Sequence, residues 1–233
     1  MKFSNLFSIK YWAIKVSNWQ QKGIIPKKYI KRYLPENPVI IEAGAHIGSD
    51  TLEMAKFWEN ATIYAFEPVP HLFQILEKNT KNISNIHIYS LALSAETGEV
   101  DMHISSGESN ASSSILTPKE HKDIHPNVLF EEKITVKSTT IDDWARHNKI
   151  HKIDMLWLDL QGFELPVLKK SGSILRGVNV IYTEVNLIEN YENNATYAEL
   201  KNWLETQNFV VKREALAWTD GGNVLFVRKN DIK

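Results

Sequence analysis

From Val39 onward the sequence alternates short apolar runs with segments of helical periodicity, a pattern that few folds accommodate. Runs at 39–43, 62–66, 86–91, 154–158 and 178–184 read as strands, and 49–58, 72–79, 141–147, 166–170 and 197–207 as the helices between them. Such alternation builds a parallel sheet with crossover helices on its faces. The last two strands, 209–214 and 224–227, are joined by only nine residues, 215–223. A parallel crossover needs about a dozen or more, so this pair is expected to be an antiparallel hairpin. The expectation is an α/β domain with a mostly parallel, seven-stranded sheet, helices on both faces and a C-terminal hairpin. Residues 100–104 are a candidate extra strand, and 134–137 read as the strand with which the regular alternation resumes. The small-polar run 105–114 reads as a functional loop, too long and glycine-poor for a tight turn.

The sharpest local signal follows the first strand, in Glu42-Ala-Gly44-Ala45-His46-Ile-Gly48. A strand turning directly into a helix needs glycine where the backbone torsions are unusual or a ligand comes close. The helix start then offers unpaired N–H groups to a polar ligand. The spacing is not that of the dinucleotide fingerprint G-x-G-x-x-G, because Gly44 and Gly48 are four apart and no third glycine follows. Glu67 ends the second strand 19 residues after Gly48, where a carboxylate can accept hydrogen bonds from both hydroxyls of a ribose. Turn and acid together point to a nucleoside-binding site.

Five segments in order, VIIEAGAHIGSDT, YAFEPVPHLFQILEKN, SLALSAETGEV, TTIDDW and IDMLWLDLQGFELPVL, resemble the FkbM family of S-adenosylmethionine-dependent methyltransferases, over roughly residues 39–186. The resemblance implies a Rossmann-like class I methyltransferase fold with S-adenosylmethionine as cofactor. It implies that Glu42, Gly44, Ala45, His46, Gly48 and Thr51 form the turn on the methionine side. Glu67, followed by Pro68, would take the ribose, and Leu93 and Ser94 would lie near the adenine. Ser113 and Ser114 would belong to a loop over the reaction site and touch the acceptor. Two positions depart from the family pattern: His46 stands where asparagine is usual, and Gln161 where an acid is common.

Asp159, Glu164 and Glu184 are the candidate catalytic acids, all near strand ends on the carboxyl edge of the sheet, where open α/β sheets bind ligands. Asp159 has two open roles, general base for a substrate hydroxyl or anchor for a cation, including the cofactor's ammonium. Glu164 is either a second base or a residue placed in its helix's first turn by the dipole. Glu184 and Asn186, beside Asp159, supply oxygen ligands that could hold Mg²⁺, a reading not favoured over a metal-free site. Asn186 also counts as a candidate acceptor contact. His121 and His125 in HKDIH lack a third ligand for zinc and read as a solvated loop.

The acceptor is expected to be a sugar, a glycan end or a small metabolite, methylated on a hydroxyl; this preference comes from the resemblance. N-methylation, a nucleotide-dependent oxidoreductase and a non-catalytic nucleoside-binding module are the alternatives. The chain has no cysteine, which excludes disulfides, thiolate nucleophiles and cysteine-bound zinc. A net charge of -1 argues against a general nucleic-acid binder. No uncharged apolar run reaches the roughly 18 residues of a membrane span, and no signal peptide is visible, so a cytoplasmic protein is expected. The 27 Lys and Arg and 28 Asp and Glu are unevenly spread. Residues 1–38 hold Lys2, Lys10, Lys15, Lys22, Lys27, Lys28, Lys31 and Arg32 against the single acid Glu36. This segment also carries Phe3, Phe7, Tyr11, Trp12 and Trp19, and Pro35 and Pro38 end it. It is taken as a helical, basic-aromatic extension preceding a methyltransferase domain at 39–233. Packing on the sheet or in a homodimer, a cap over the acceptor pocket and peripheral membrane contact are its three open roles.

Overall fold

A computed structural model describes residues 23–229. The aromatic positions expected to make the N-terminal segment helical, from Phe3 to Trp19, lie outside these residues. So do the contacts on which its membrane and dimer roles depend. The described part begins with helix α1 (Lys27–Ile30) and a 3-10 turn (Lys31–Tyr33). Ile25 and Ile30 are fully buried in one core with Trp58, Trp157 and Leu225. Lys27 Nζ binds Asp50 at 2.9 Å and Glu53 at 2.7 Å, and lies 4.8 Å from the centroid of Trp157. Residues 25–33 are thus built into the domain's core, so the boundary placed at residue 38 divides chain segments but not cores.

The main sheet has the order β3-β2-β1-β7-β8-β10-β9. Its strands are β1 (Val39–Ala43), β2 (Thr62–Phe66), β3 (Ile86–Tyr89), β7 (Met155–Leu158), β8 (Val180–Asn186), β9 (Phe209–Ala215) and β10 (Gly221–Arg228). The first five run parallel, while β10 lies antiparallel to both β8 and β9. This is the expected parallel sheet closed by a hairpin, with a connection of five residues, 216–220, between longer strands.

The strands are apolar throughout because both faces of the sheet are covered. Ile40, Met155 and Val180 face one core, and Ile41, Leu156 and Ile181, their chain neighbours, face the other. Helices α2 (Ser49–Phe57), α3 (Pro70–Thr80), α5 (Ile141–His147), α6 (Glu164–Lys169), α7 (Gly172–Leu175) and α8 (Tyr197–Thr206) link the strands and cover these faces. The chain runs outward through β1, β2 and β3, then returns to β7 on the other side of β1. The order therefore reverses at β1, and ligands bind in the crevice beyond the carboxyl ends of strands at such a switch point.

The middle of the chain departs from the alternation. β4 (Ala92–Leu93), β5 (Gly98–Gly107) and β6 (Val128–Thr139) form a separate three-stranded sheet of order β4-β6-β5. The expected strands at 100–104 and 134–137 are the centres of a long antiparallel pair, in register from Gly98 opposite Ser138. Ser105 and Ser106 of the small-polar run lie in β5, and Ser114 pairs back onto His103. The loop proper is 108–113. Helix α4 (His121–Ile124) follows it. Among the described residues, no helix is long and apolar enough to cross a membrane.

Candidate active site

β1 delivers Glu42 into the core at 1% exposure, where Thr51 Oγ1 of the first turn of α2 donates to it at 2.6 Å. Burial pushes this carboxyl up to about 8, against the opposing effect of the Thr51 hydrogen bond. Gly44 begins the turn at φ +82°, and a Cβ there would sit 2.0 Å from the carbonyl oxygen of Asp159. Glycine at 44 is what lets the ends of β1 and β7 meet. Gly48 caps α2 at φ +88°, with a Cβ position only 2.7 Å from Leu76 Cδ1. Between them His46 takes φ +52°, a left-handed conformation that histidine and asparagine tolerate better than most residues.

Glu67, just past β2, is tied to that turn. Its Oε2 accepts from the N–H of His46 and its Oε1 from the N–H of Val69, both at 2.8 Å. It is 4% exposed, and burial pushes it up to about 7 in spite of the two hydrogen bonds. Each carboxylate oxygen keeps a second lone pair. Glu67 lines a cavity walled by Phe66, Leu72, Leu91, Leu93 and Met102 and rimmed by His46 and Pro68. Apolar walls for a purine, one acid with free lone pairs for a ribose and a second acid, Asp159, for a cation make a donor set that fits S-adenosylmethionine.

β7 and β8 supply the chemistry next door. The N–H of Asp159 continues the sheet to Ala43 O at 3.0 Å. Its carboxylate and that of Glu184 are bridged by one group, the amide nitrogen of Gln161, which donates to both. Gln161 sits at φ +51°, and the Tyr191 hydroxyl, 2.9 Å from its Oε1, fixes the amide's orientation. Asp159 lines both cavities, and partial desolvation there raises its carboxyl above the usual range. Desolvation and the repulsion of Asp159 drive Glu184 well above the usual carboxylate range. The two carboxyls are therefore coupled and titrate as a pair. Among the described residues no three His, Asp or Glu side chains converge to hold a metal ion.

Asp159 and Gln161 also line a second, open cleft, with Glu184, Asn186, Tyr191 and Asp220. The two cavities meet at Asp159, Gln161 and Ala111. Of the residues expected from sequence, Gly44, His46, Glu67, Pro68, Leu93, Ser113 and Asp159 line the first cavity, and Asp159, Glu184 and Asn186 the second. Glu42, Ala45, Gly48 and Thr51 build the turn from behind.

Ser94 is 6% exposed and donates its backbone N–H to Thr139 O at 2.9 Å, away from the cavity lining. Ser114 is 1% exposed, its hydroxyl donating to the carbonyl of Gln161 at 2.8 Å, so it anchors the loop. Glu164 turns inward and accepts from the N–H groups of Leu160 at 2.8 Å and Gly162 at 3.3 Å. It lines neither cavity; it closes the loop after β7, and burial raises it to about 7.

Met102, Asn110, His121, Tyr191 and Trp218 were not singled out from sequence as binding residues, although each lines a cavity. Asn110 had a signal, since it lies in the small-polar run and its Oδ1 meets His46 Nε2 at 2.9 Å. His121 does not sit in a solvated loop. It is 6% exposed, with ring centroids 4.8 Å from His125 and 5.4 Å from Tyr191.

Strand order, hairpin and glycine turn together define the class I methyltransferase fold. Aeropyrum pernix fibrillarin, solved with natively bound S-adenosyl-L-methionine, shares it with a TM-score of 0.51 at 15% identity, over 91% of this chain and 74% of that one. The methyltransferase FkbM domain model matches residues 42–211, and the chain belongs to that family of S-adenosylmethionine-dependent methyltransferases. The 2-O-methyltransferase NoeI of Sinorhizobium fredii is 31% identical over 161 residues, 67% of this chain and 66% of NoeI. The hexuronic acid methyltransferase AglP of Haloferax volcanii is 24% identical over 176 residues, 75% of this chain and 66% of AglP.

Proposed function

We propose that this enzyme methylates a hydroxyl group of a sugar, a glycan end or a small metabolite, with the cofactor in the Glu67 cavity and the acceptor in the cleft beside it. The observation that carries this reading is that the two cavities meet at Asp159 and Gln161, directly against Glu184. The names of NoeI and AglP, a 2-O-methyltransferase and a hexuronic acid methyltransferase, support a sugar acceptor.

Bound S-adenosylmethionine supplies an electrophilic methyl group on a sulfonium. Glu67 accepts from the ribose hydroxyls with the lone pairs that His46 and Val69 leave free. Asp159 faces the cation. A hydroxyl is a poor nucleophile until its proton is drawn off, and a base matched to neutral pH does this best. The raised Asp159–Glu184 pair meets that need, with Glu184 taking the proton and Gln161 holding both carboxylates in place. Asn186, in the lining of the acceptor cleft, is the acceptor contact in this reading, whereas Ser113 lines the cofactor cavity. Residues 39–233 carry the site in this reading, on a core that also takes in Ile25 and Ile30.

The reading is tested by incubating the protein with methyl-labelled S-adenosylmethionine and a panel of glycosides and hydroxylated metabolites, then locating the label by mass spectrometry. Label in an ether on a hydroxyl oxygen is the expected product. Transfer to nitrogen only, or to nothing while the cofactor binds, would overturn the hydroxyl assignment.

A further inference from the structure

The acceptor cleft has a one-sided charge. Glu108, Asp159, Glu184 and Asp220 line it, and none of its described lining residues is lysine or arginine. Apart from the imidazoles of His121 and His125, a carboxylate entering it would meet like charge at close range, in a site where desolvation strengthens the repulsion.

The far wall is polar and incompletely paired. Asp220, 6% exposed, accepts from Asn190 Nδ2 at 3.2 Å and lies 3.1 Å from His125 Nε2. Asn190, 4% exposed, has an Oδ1 with no partner, and His121, 6% exposed, has an Nδ1 with none. These two atoms are themselves buried behind the lining, while the side chains that carry them, like Asp220, form part of the cleft wall. At the rim Trp218 leaves 43% of its surface exposed, with its indole edge against Gly23. An exposed indole beside a wall of amides and a carboxylate suits a pyranose, whose C–H face is apolar and whose edge is a row of hydroxyls.

Building on the hydroxyl-methylation reading, we propose that the cleft is an acceptor subsite for an uncharged pyranoside. The ring stacks on Trp218, its hydroxyls bind Asp220 and Asn190, and hexuronates are excluded. The same acids explain both properties: the pair that draws a proton from a hydroxyl repels a sugar carboxylate. This specificity is the opposite of that named for the relative AglP.

The test is calorimetry at about pH 8. The protein is first titrated with S-adenosylhomocysteine. It is then titrated with methyl glycosides of hexoses and 6-deoxyhexoses, with the matching methyl hexuronides, and with the matching amino sugars. Absence of homocysteine-nucleoside binding would defeat the methyltransferase site itself, separately from this proposal. With the cofactor product bound, neutral glycosides should bind at least about tenfold tighter than hexuronides. Hexuronides binding as tightly, amino sugars binding tighter, or no glycoside binding at all would each overturn the proposal. Trp218→Ala should weaken glycoside binding about tenfold or more with S-adenosylhomocysteine binding unchanged, and Asp220→Asn should narrow the gap to hexuronides. Unaltered glycoside affinity in Trp218→Ala would remove the stacking platform.

Discussion

Glu67 grips the backbone N–H groups of His46 and Val69, so its removal acts on the fold and the ligand together. In Glu67→Gln one of those N–H groups faces an NH₂, and about 1–3 kcal/mol of both stability and cofactor affinity should be lost. The checks are a thermal melt and a titration of the same sample. Gln161 behaves differently. An acid there would be a third carboxyl between Asp159 and Glu184, so Gln161→Glu should abolish most turnover while leaving the Kd for S-adenosylhomocysteine within a few fold of wild type. Retention of normal turnover would remove the amide bridge from the mechanism. The sequence marked Gln161 as a departure, but its use depends on a strand partner 23 residues away. Glu164 shows the converse. In sequence it is an acid among acids, and only the fold reveals that its oxygens are committed to the loop's own N–H groups.

At the scale of elements, the critical join is between the β1 turn and the end of β7. Gly44→Ala would need to open that join, since its Cβ position lies 2.0 Å from Asp159 O and the residue sits at φ +82°. The expected outcome is a lower Tm and loss of cofactor binding, with circular dichroism reporting an intact sheet. The strands of the main sheet were legible because burial on both faces makes them apolar runs. β6 was legible only in its centre. It covers a core with one face, and Phe130, Glu131, Glu132 and Lys133 interrupt its pattern, so neither its length nor its pairing with β5 is written locally. The same holds for α4. HKDIH has no hydrophobic face, and His121 packs against Phe130 of the following strand and Tyr191 of a distant segment.

Across the whole molecule, the buried carboxyls set how stability responds to pH. Glu42, Glu67 and Glu164 sit at about 8, 7 and 7 in the fold, against a usual value of 4.5. Over that window the folded protein binds protons that the unfolded chain has released, so stability rises as pH falls from 8 toward 4.5. Above pH 8 all three are ionised in both states and their destabilisation is complete. The ligand-free protein should therefore melt several degrees higher at about pH 6.5 than at about pH 8.5, as followed by calorimetry. Cofactor affinity should move the other way, weakening below about pH 7 as Glu67 takes up a proton and loses acceptor capacity. Two opposite trends from one set of acids distinguish a binding site from a buried structural cluster.

The most direct measurement is a titration of the intact protein with S-adenosylhomocysteine at about pH 8, set beside Glu67→Gln. A single site per chain, with binding at least about tenfold weaker in the variant, is the predicted result. No binding to the wild-type protein, or equal affinity in the two, would contradict the assignment of the Glu67 cavity to the cofactor.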